Sequence, residues 1–515
     1  MKLITRSLVA LVLVGWVGGD AWAQTARSLR FEVAVPPGVE LGPTTGRLIV
    51  VAAPVGGRRT QEPRRRIGSV GPEATPIAAV DVDQLGSRRT VVVDETAVAF
   101  PISRLSDLPP GQYDVQAVLD VSRDIRLPGA PGNWYSQPRR ILVEPDGRLV
   151  VPLALTEQVP LEQLPPDTEY VRYVRLPSER LSSYHGRPVV LRAAVILPRG
   201  FDREPTRRYP LRLSVGGYGQ RDTAAARLMR AGSPFRRAWL SDDAPRMLRV
   251  ILDGAGPYGD PYQVNSANNG PYGDALVEEL IPYVEERFRG RGDPEARVID
   301  GFSTGGWVAL ALHVFYPDSF NGAWSYCPDP VDFRALQRVN VYGDDNAYVE
   351  AGSERPSRRG SDGVVRFTMR HEVGMEMVLG RGDSWAESGR QWGAWNAVYG
   401  PRGDDGRPVP LWDPTTGLID RDVTPHWERY DLRLVLARDW TALAPKLNGK
   451  LNIWTGEMDD YYLNEAVHLL DDFLRESGPS FDARIVYGSG EGHCWIPHTP
   501  DELLKEMGER VGAEP

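Results

Sequence analysis

Two hydrophobic periods divide this chain, and the change from one to the other limits its architecture more than any other feature. From about Ser28 to Leu155 apolar residues recur at every second position, as strands half-buried against a core require. Leu29, Phe31, Val33 and Val35 alternate with Arg30, Glu32 and Ala34, and Tyr113, Val115, Ala117, Leu119 and Val121 repeat the pattern. Pro36-Pro37-Gly38, Pro109-Pro110-Gly111 and Pro145-Asp146-Gly147 supply turn chemistry between such runs. No amphipathic helix interrupts them, so residues 24–160 are expected to form an N-terminal antiparallel β-sandwich. The region lacks cysteine and any cluster of metal ligands, which favours a structural or substrate-presenting module.

Beyond the proline-rich, polar stretch Glu157 to Pro166 the character changes. Extended runs near Tyr170 to Leu176 and Val189 to Leu197 precede apolar strands at 209–215, 248–252 and 296–300, with helical patterns among them. One such pattern starts at Asp274, with Val277, Leu280, Ile281, Val284 and Phe288 on one side; Pro282 should kink it or shorten its start. Strands alternating with helices predict a largely parallel sheet covered on both faces, where function gathers beyond the carboxyl ends of the strands. This α/β unit is expected to span 166–515. Residues from about 337 to 440 break its rhythm and carry Trp385, Trp392, Trp395, Trp412, Trp427 and Trp440, six of the chain's 14 tryptophans. They read as a cap-like insert whose tryptophans mostly make its own small core, with one or two facing a substrate.

Residues 1–23 read as an address: Lys2 and Arg6, then apolar Leu8 to Val17, then the small-x-small site Ala21-Trp22-Ala23, with cleavage expected before Gln24. The alternative, an uncleaved anchor, meets an apolar run roughly half the length a bilayer needs. The expected location is the periplasm or the cell exterior. A net charge of -9 gives no basic footprint for nucleic acid. Nothing in the sequence fixes the oligomeric state. An oxidising compartment would permit a disulfide between Cys327 and Cys494, bracing the loop that holds His493; two buried, unpaired thiols are the other reading.

A serine hydroxyl is a poor nucleophile until a base removes its proton, and it needs nearby donors for the developing oxyanion. Gly301-Phe302-Ser303-Thr304-Gly305, between an apolar strand and an apolar helix, suits a sharp turn that exposes Ser303, with the Thr304 N–H aimed at the oxyanion. A second donor is expected from Gly216-Gly217-Tyr218-Gly219 after the strand ending at Val215, at Gly217 or Tyr218. Downstream, Asp459 or Asp460 lies at the end of a strand over 451–456; Asp459 is the expected acid and Asp460 a helix cap, with Asp460 the alternative acid. Gly488-Ser489-Gly490-Glu491-Gly492-His493 then presents His493 as the base. His371-Glu372 lacks the second histidine of a zinc-protease helix, and no lysine stands three residues after a serine, so neither metal hydrolysis nor penicillin-binding chemistry has support.

Several pieces together resemble the putative-esterase family of α/β-hydrolases, which includes feruloyl and acetylxylan esterases, esterase D-like enzymes and enterochelin esterases. They are Tyr209-Pro210, Gly-Phe-Ser-Thr-Gly-Gly at 301–306, Tyr316-Pro317-Asp318-Ser319-Phe320, Gly456 with Asp459, and Gly492-His493-Cys494-Trp495. The resemblance implies a serine hydrolase that cleaves carboxylic esters without metal or organic cofactor, on a small-molecule or polysaccharide-linked substrate. The N-terminal region looks immunoglobulin-like. Val215 stands where the family usually carries a histidine, and the tryptophan-bearing insert has no counterpart in its small members. Acyl transfer or peptide hydrolysis on the same triad, or a catalytically inactive glycan- or partner-binding protein, are the alternative functions.

Overall fold

The period-two region forms nine strands, and their hydrogen bonds join them into one network. The computed structural model describes residues 28–39, 41, 44–56, 61–86, 90–127, 129–146, 148–477 and 480–515, so the leader read at 1–23 lies outside it. Strand Ser28–Ala34 runs parallel to Arg148–Gln158 and antiparallel to Thr90–Val93. Its Leu29, Phe31 and Val33 meet Leu48, Val50, Val115, Ala117 and Leu119 in one apolar interior. Gly46–Pro54 departs from simple alternation because both of its faces are covered: Leu48 and Val50 point to that interior, while Ile49 and Val51 pack on Met375, Val378 and Leu379 of the insert. Arg47 fastens the same contact. Its buried guanidinium donates from Nε to Val378 O at 2.9 Å and from Nη2 to Asp383 at 2.7 Å.

The second sheet has eight strands: β1 (Val171–Pro177), β2 (Val190–Ile196), β3 (Leu211–Val215), β4 (Leu248–Leu252), β5 (Arg297–Phe302), β6 (Ala323–Tyr326), β7 (Leu451–Gly456) and β8 (Ala483–Gly488). Their order is β1-β2-β4-β3-β5-β6-β7-β8. The β1–β2 and β2–β4 pairs are antiparallel and the rest parallel. Strands β3, β4 and β6 are buried along their whole length, and the charge that β3 carries at Arg212 is met inside the fold by Asp300 of β5. The parallel strands deliver the segments after β3, β5, β6, β7 and β8 to one edge of the sheet.

Helix α1 (Thr304–Phe315) follows β5 and is buried on every side but its end. The insert between β6 and β7 contributes α2 (Met369–Leu379) and α3 (Gln391–Tyr399), and α4 (Leu463–Ser477) follows β7. Five of the six insert tryptophans are fully buried, and Trp385 stacks on Trp412 with ring centroids 4.4 Å apart. Trp440 lies at the insert's end against Phe473 and Phe481.

Pro282 does not break its helix. A π-helical turn at Leu276–Leu280 lies between Tyr272–Ala275 and Ile281–Arg287, so the widened turn absorbs the proline's missing N–H and the helical path continues.

Candidate active site

Between β5 and α1 the backbone turns sharply at Ser303, whose φ is 57° and ψ -123°. A left-handed φ is costly for a residue with a Cβ, on the order of 1 kcal/mol, and persists only where neighbours impose it. Here the Ser303 N–H donates to Tyr326 O at 2.9 Å, and Ser303 O accepts the N–H groups of Gly306 at 2.8 Å and Asp329 at 3.2 Å. Close approach explains the flanking glycines. A Cβ on Gly301 would lie 2.1 Å from Gly305 O, and one on Gly305 would lie 2.2 Å from Val215 O.

The structure brings Ser303, His493 and Asp459 into one line of contacts. Ser303 Oγ is 3.1 Å from His493 Nε2, and His493 Nδ1 is 2.7 Å from Asp459 Oδ2. Asp459 is fully buried at the end of β7, and its Oδ1 accepts the N–H groups of Tyr461 at 2.9 Å and Leu463 at 3.3 Å. It therefore takes the helix-start position expected of Asp460. Asp460 points elsewhere: its Oδ1 accepts the His493 backbone N–H at 3.3 Å, and its Oδ2 pairs with Arg358 at 3.1 Å. Burial alone would lower the His493 pKa, but the Asp459 hydrogen bond and the charges of Asp459, Asp329 and Asp460 outweigh it and raise the imidazole above its usual value.

The glycine loop after β3 reaches the same place. A Cβ on Gly217 would sit 3.8 Å from Ser303 Cβ, so backbone passes beside the serine there. Tyr218 lines the cavity, and its hydroxyl donates to Gly389 O at 2.9 Å, tying the loop to the insert. Asp260 braces the loop by accepting the N–H groups of Gly219 and Tyr262, each at 3.0 Å. Burial pushes its carboxyl up to about 7.

Ser303 and His493 open into a cavity of about 200 Å³, also lined by Tyr218, Asp329, Gln337, Glu372, Gln391, Trp395, Tyr461 and Leu463. Asp329 is the unanticipated member. It is buried, and one of its oxygens accepts four groups: Tyr262 OH at 2.5 Å, Thr304 Oγ1 at 2.9 Å, Gln391 Nε2 at 3.1 Å and Trp395 Nε1 at 3.2 Å. Its other oxygen lies 3.5 Å from Ser303 Oγ. The signal was present in Cys327-Pro328-Asp329-Pro330, an acid just beyond the carboxyl end of a central strand. Glu372, Gln337 and Gln391 had no such signal, because the insert brings them in from outside the strand–helix alternation. Among the insert tryptophans, Trp395 faces the cavity.

Cys327 and Cys494 are joined by a disulfide that links the end of β6 to the residue after His493. On the β7 side, Met458 N–H donates to Glu491 O at 2.8 Å, so the histidine loop is held from both neighbouring strands.

A mostly parallel eight-stranded sheet with a serine on a strained elbow after its fifth strand defines an α/β-hydrolase. Residues 188–435 match the family described as Putative esterase. Solved structures similar to the chain include a ferulic acid esterase at 15% identity, covering 66% of this chain and 97% of that one, with a TM-score of 0.36. An S-formylglutathione hydrolase from Agrobacterium tumefaciens is 14% identical over 67% of this chain and 98% of its own, with a TM-score of 0.39. Mycobacterium tuberculosis MPT51 is 14% identical over 68% and 100%, with a TM-score of 0.39. No curated protein matches the chain.

Proposed function

We propose that the protein is an exported serine esterase that works through an acyl-enzyme, with Ser303 as nucleophile, His493 as base and Asp459 as the acid that orients it. The observation that carries this reading is the chain of contacts from Ser303 Oγ to His493 Nε2 at 3.1 Å and from His493 Nδ1 to Asp459 at 2.7 Å. His493 takes the serine proton at Nε2 while Asp459 holds Nδ1–H and stabilises the imidazolium. Ser303 Oγ adds to the ester carbonyl, and the charge that develops on oxygen meets the Thr304 N–H at the start of α1 and an N–H of Gly217 or Tyr218. Collapse expels the alcohol with the proton from His493. Water then repeats the sequence on the acyl-enzyme and releases the acid.

The leader read at 1–23 and the disulfide beside His493 support work in the periplasm or outside the cell. We assign 24–160 to an immunoglobulin-like β-sandwich unit and 166–515 to the catalytic unit with its insert. The small cavity suits a compact acyl group, whether its alcohol is small or part of a polysaccharide. Ser303→Ala should abolish hydrolysis of p-nitrophenyl acetate and labelling by a fluorophosphonate; retained turnover by a folded variant would remove Ser303 from this role.

A further inference from the structure

The cavity beside Ser303 holds a buried carboxyl, Asp329, that among the described residues no lysine or arginine pairs. Four donors converge on Asp329 Oδ2: the hydroxyls of Tyr262 and Thr304, the Gln391 amide and the Trp395 indole N–H, at 2.5 to 3.2 Å. Groups that all donate to one oxygen favour the ionised carboxylate, although burial pushes its pKa up. Oδ1 is left on the cavity side, 3.5 Å from Ser303 Oγ. A second acid, Glu372, lines the same cavity and accepts a hydrogen bond from Ser357. Neither lysine nor arginine is among the lining residues, and among the described residues Asp329 makes no ion pair. Arg358 lies behind the Tyr461 ring and is matched by Asp460. Buried charges are ordinarily paired, and the nearest cation available to Asp329 is His493, which must be neutral when it accepts the serine proton.

The geometry points to a substrate that brings the missing cation: an ester whose acyl group carries an ammonium on the carbon next to the carbonyl, an aminoacyl ester, with Asp329 as the residue that selects it. This deepens the serine-esterase reading and rests on it. In the acyl-enzyme such an ammonium stands three bonds from Ser303 Oγ, within reach of a carboxylate oxygen 3.5 Å from that same atom. An ammonium on the alcohol would stand further off and would leave with it. Trp395 and Tyr461 also line the cavity, and aromatic side chains tolerate a neighbouring cation. A hydroxyl would answer one acceptor but leave the charge unmatched. The reaction balances as ordinary hydrolysis. The Ser303 Oγ–acyl bond forms as the ester C–O bond breaks, the serine proton passes through His493 to the alcohol, and water returns the amino acid and the free serine.

Two esters of nearly equal shape test the assignment: the methyl ester of alanine, assayed below the pKa of its amine, and the methyl ester of 2-methylpropanoic acid, in which a methyl replaces the ammonium. Each kcat/KM is divided by the rate of hydroxide-catalysed hydrolysis, which removes the intrinsic reactivity of the cationic ester. The wild-type protein should prefer the alanine ester by roughly tenfold or more. Asp329→Asn should bring that ratio close to unity, whatever happens to the absolute rates. A wild-type ratio at or below unity with the neutral ester turned over overturns the inference and leaves the esterase reading standing. A variant that slows both esters alike would show that Asp329 serves the His493 imidazolium, which also overturns it. Failure on both esters together with failure to label with a fluorophosphonate removes the underlying reading as well. If the variant does not fold, competitive inhibition of the wild type by alaninamide but not by 2-methylpropanamide supplies the same contrast, and equal inhibition counts against it.

Discussion

Cys494 reaches across the mouth of the sheet to Cys327, 167 residues earlier, so the residue next to His493 is covalently fixed to the end of the strand whose last carbonyl binds the Ser303 N–H. The serine elbow and the histidine loop thus share one anchor. Replacing both cysteines by serine should lower the unfolding free energy by about 3–5 kcal/mol, since a closed loop of this length restricts the unfolded chain strongly. Activity should fall as well, because the His493 loop loses its tie to β6. Calorimetry and steady-state rates on the double variant check both, and thiol titration of the non-reduced, denatured protein should find no free thiol.

Asp459 and Asp460 are adjacent, yet only Asp459 touches the imidazole. Asp459→Asn should cut kcat by roughly four orders of magnitude, as expected when the base loses its orienting carboxylate. Asp460→Asn keeps an oxygen for the His493 N–H and should cost no more than about tenfold. A reversal of that ranking in kcat would exchange the two roles.

On the proposed mechanism His493 must be neutral to accept the serine proton, and its pKa is raised despite burial because Asp459, Asp329 and Asp460 surround it. A base with a raised pKa loses its proton later as pH climbs, so activity should rise through a limb above the ordinary imidazole range. Removing the Asp329 charge takes away one raising contribution. The acid limb of kcat/KM against pH should therefore move to lower pH in Asp329→Asn, and a shift upward would contradict this electrostatic account.

Gly305 admits no Cβ, since one would lie 2.2 Å from Val215 O and 2.5 Å from Gly216 O. Gly305→Ala should destabilise the protein by roughly 3 kcal/mol and push the glycine loop away from Ser303. Thermal unfolding and fluorophosphonate labelling together should register both effects; a stable, fully reactive variant would show that the loop can yield.

Arg47 has no exposed surface and binds Val378 O, Asp81 and Asp383. Arg47→Ala removes these bonds where the first sheet meets α2, Asp81 keeping only its bond from the Gly382 N–H, and should cost about 2–4 kcal/mol. Because α2 also carries Glu372 into the cavity, KM should rise for small esters, which steady-state kinetics would read directly.

Much of the core was legible because periodicity records which faces are covered. Alternation at Leu29, Phe31 and Val33 marked a one-sided strand, and the short, mostly apolar runs at 211–215 and 248–252 marked strands of the second sheet, although Arg212 and Arg249 within them gave no sign of their burial. The elbow, Asp459 and His493 were legible because each sits where a strand ends. Pro282 misled because a π turn can accommodate a proline that an α turn would expel. The cavity's far wall was not legible: Glu372, Gln391 and Trp395 lie on helices of the insert, and no short-range rule relates their position to a strand end. Nor does alternation within a strand tell that Ile49 and Val51 are covered by a helix more than three hundred residues later.

That last contact has a consequence for how the molecule is made. The ribosome delivers the first sheet long before α2, so the surface against which the cavity wall docks can be finished before the wall exists. A hydrolase severed at the polar stretch 157–166 would keep Ser303, His493 and Asp459 on one piece yet leave Met375, Val378 and Leu379 bare to water. The early part of the chain is in this sense a mould for the later part: it contributes no residue to the cavity's lining, yet it covers one face of the helix that carries Glu372 there.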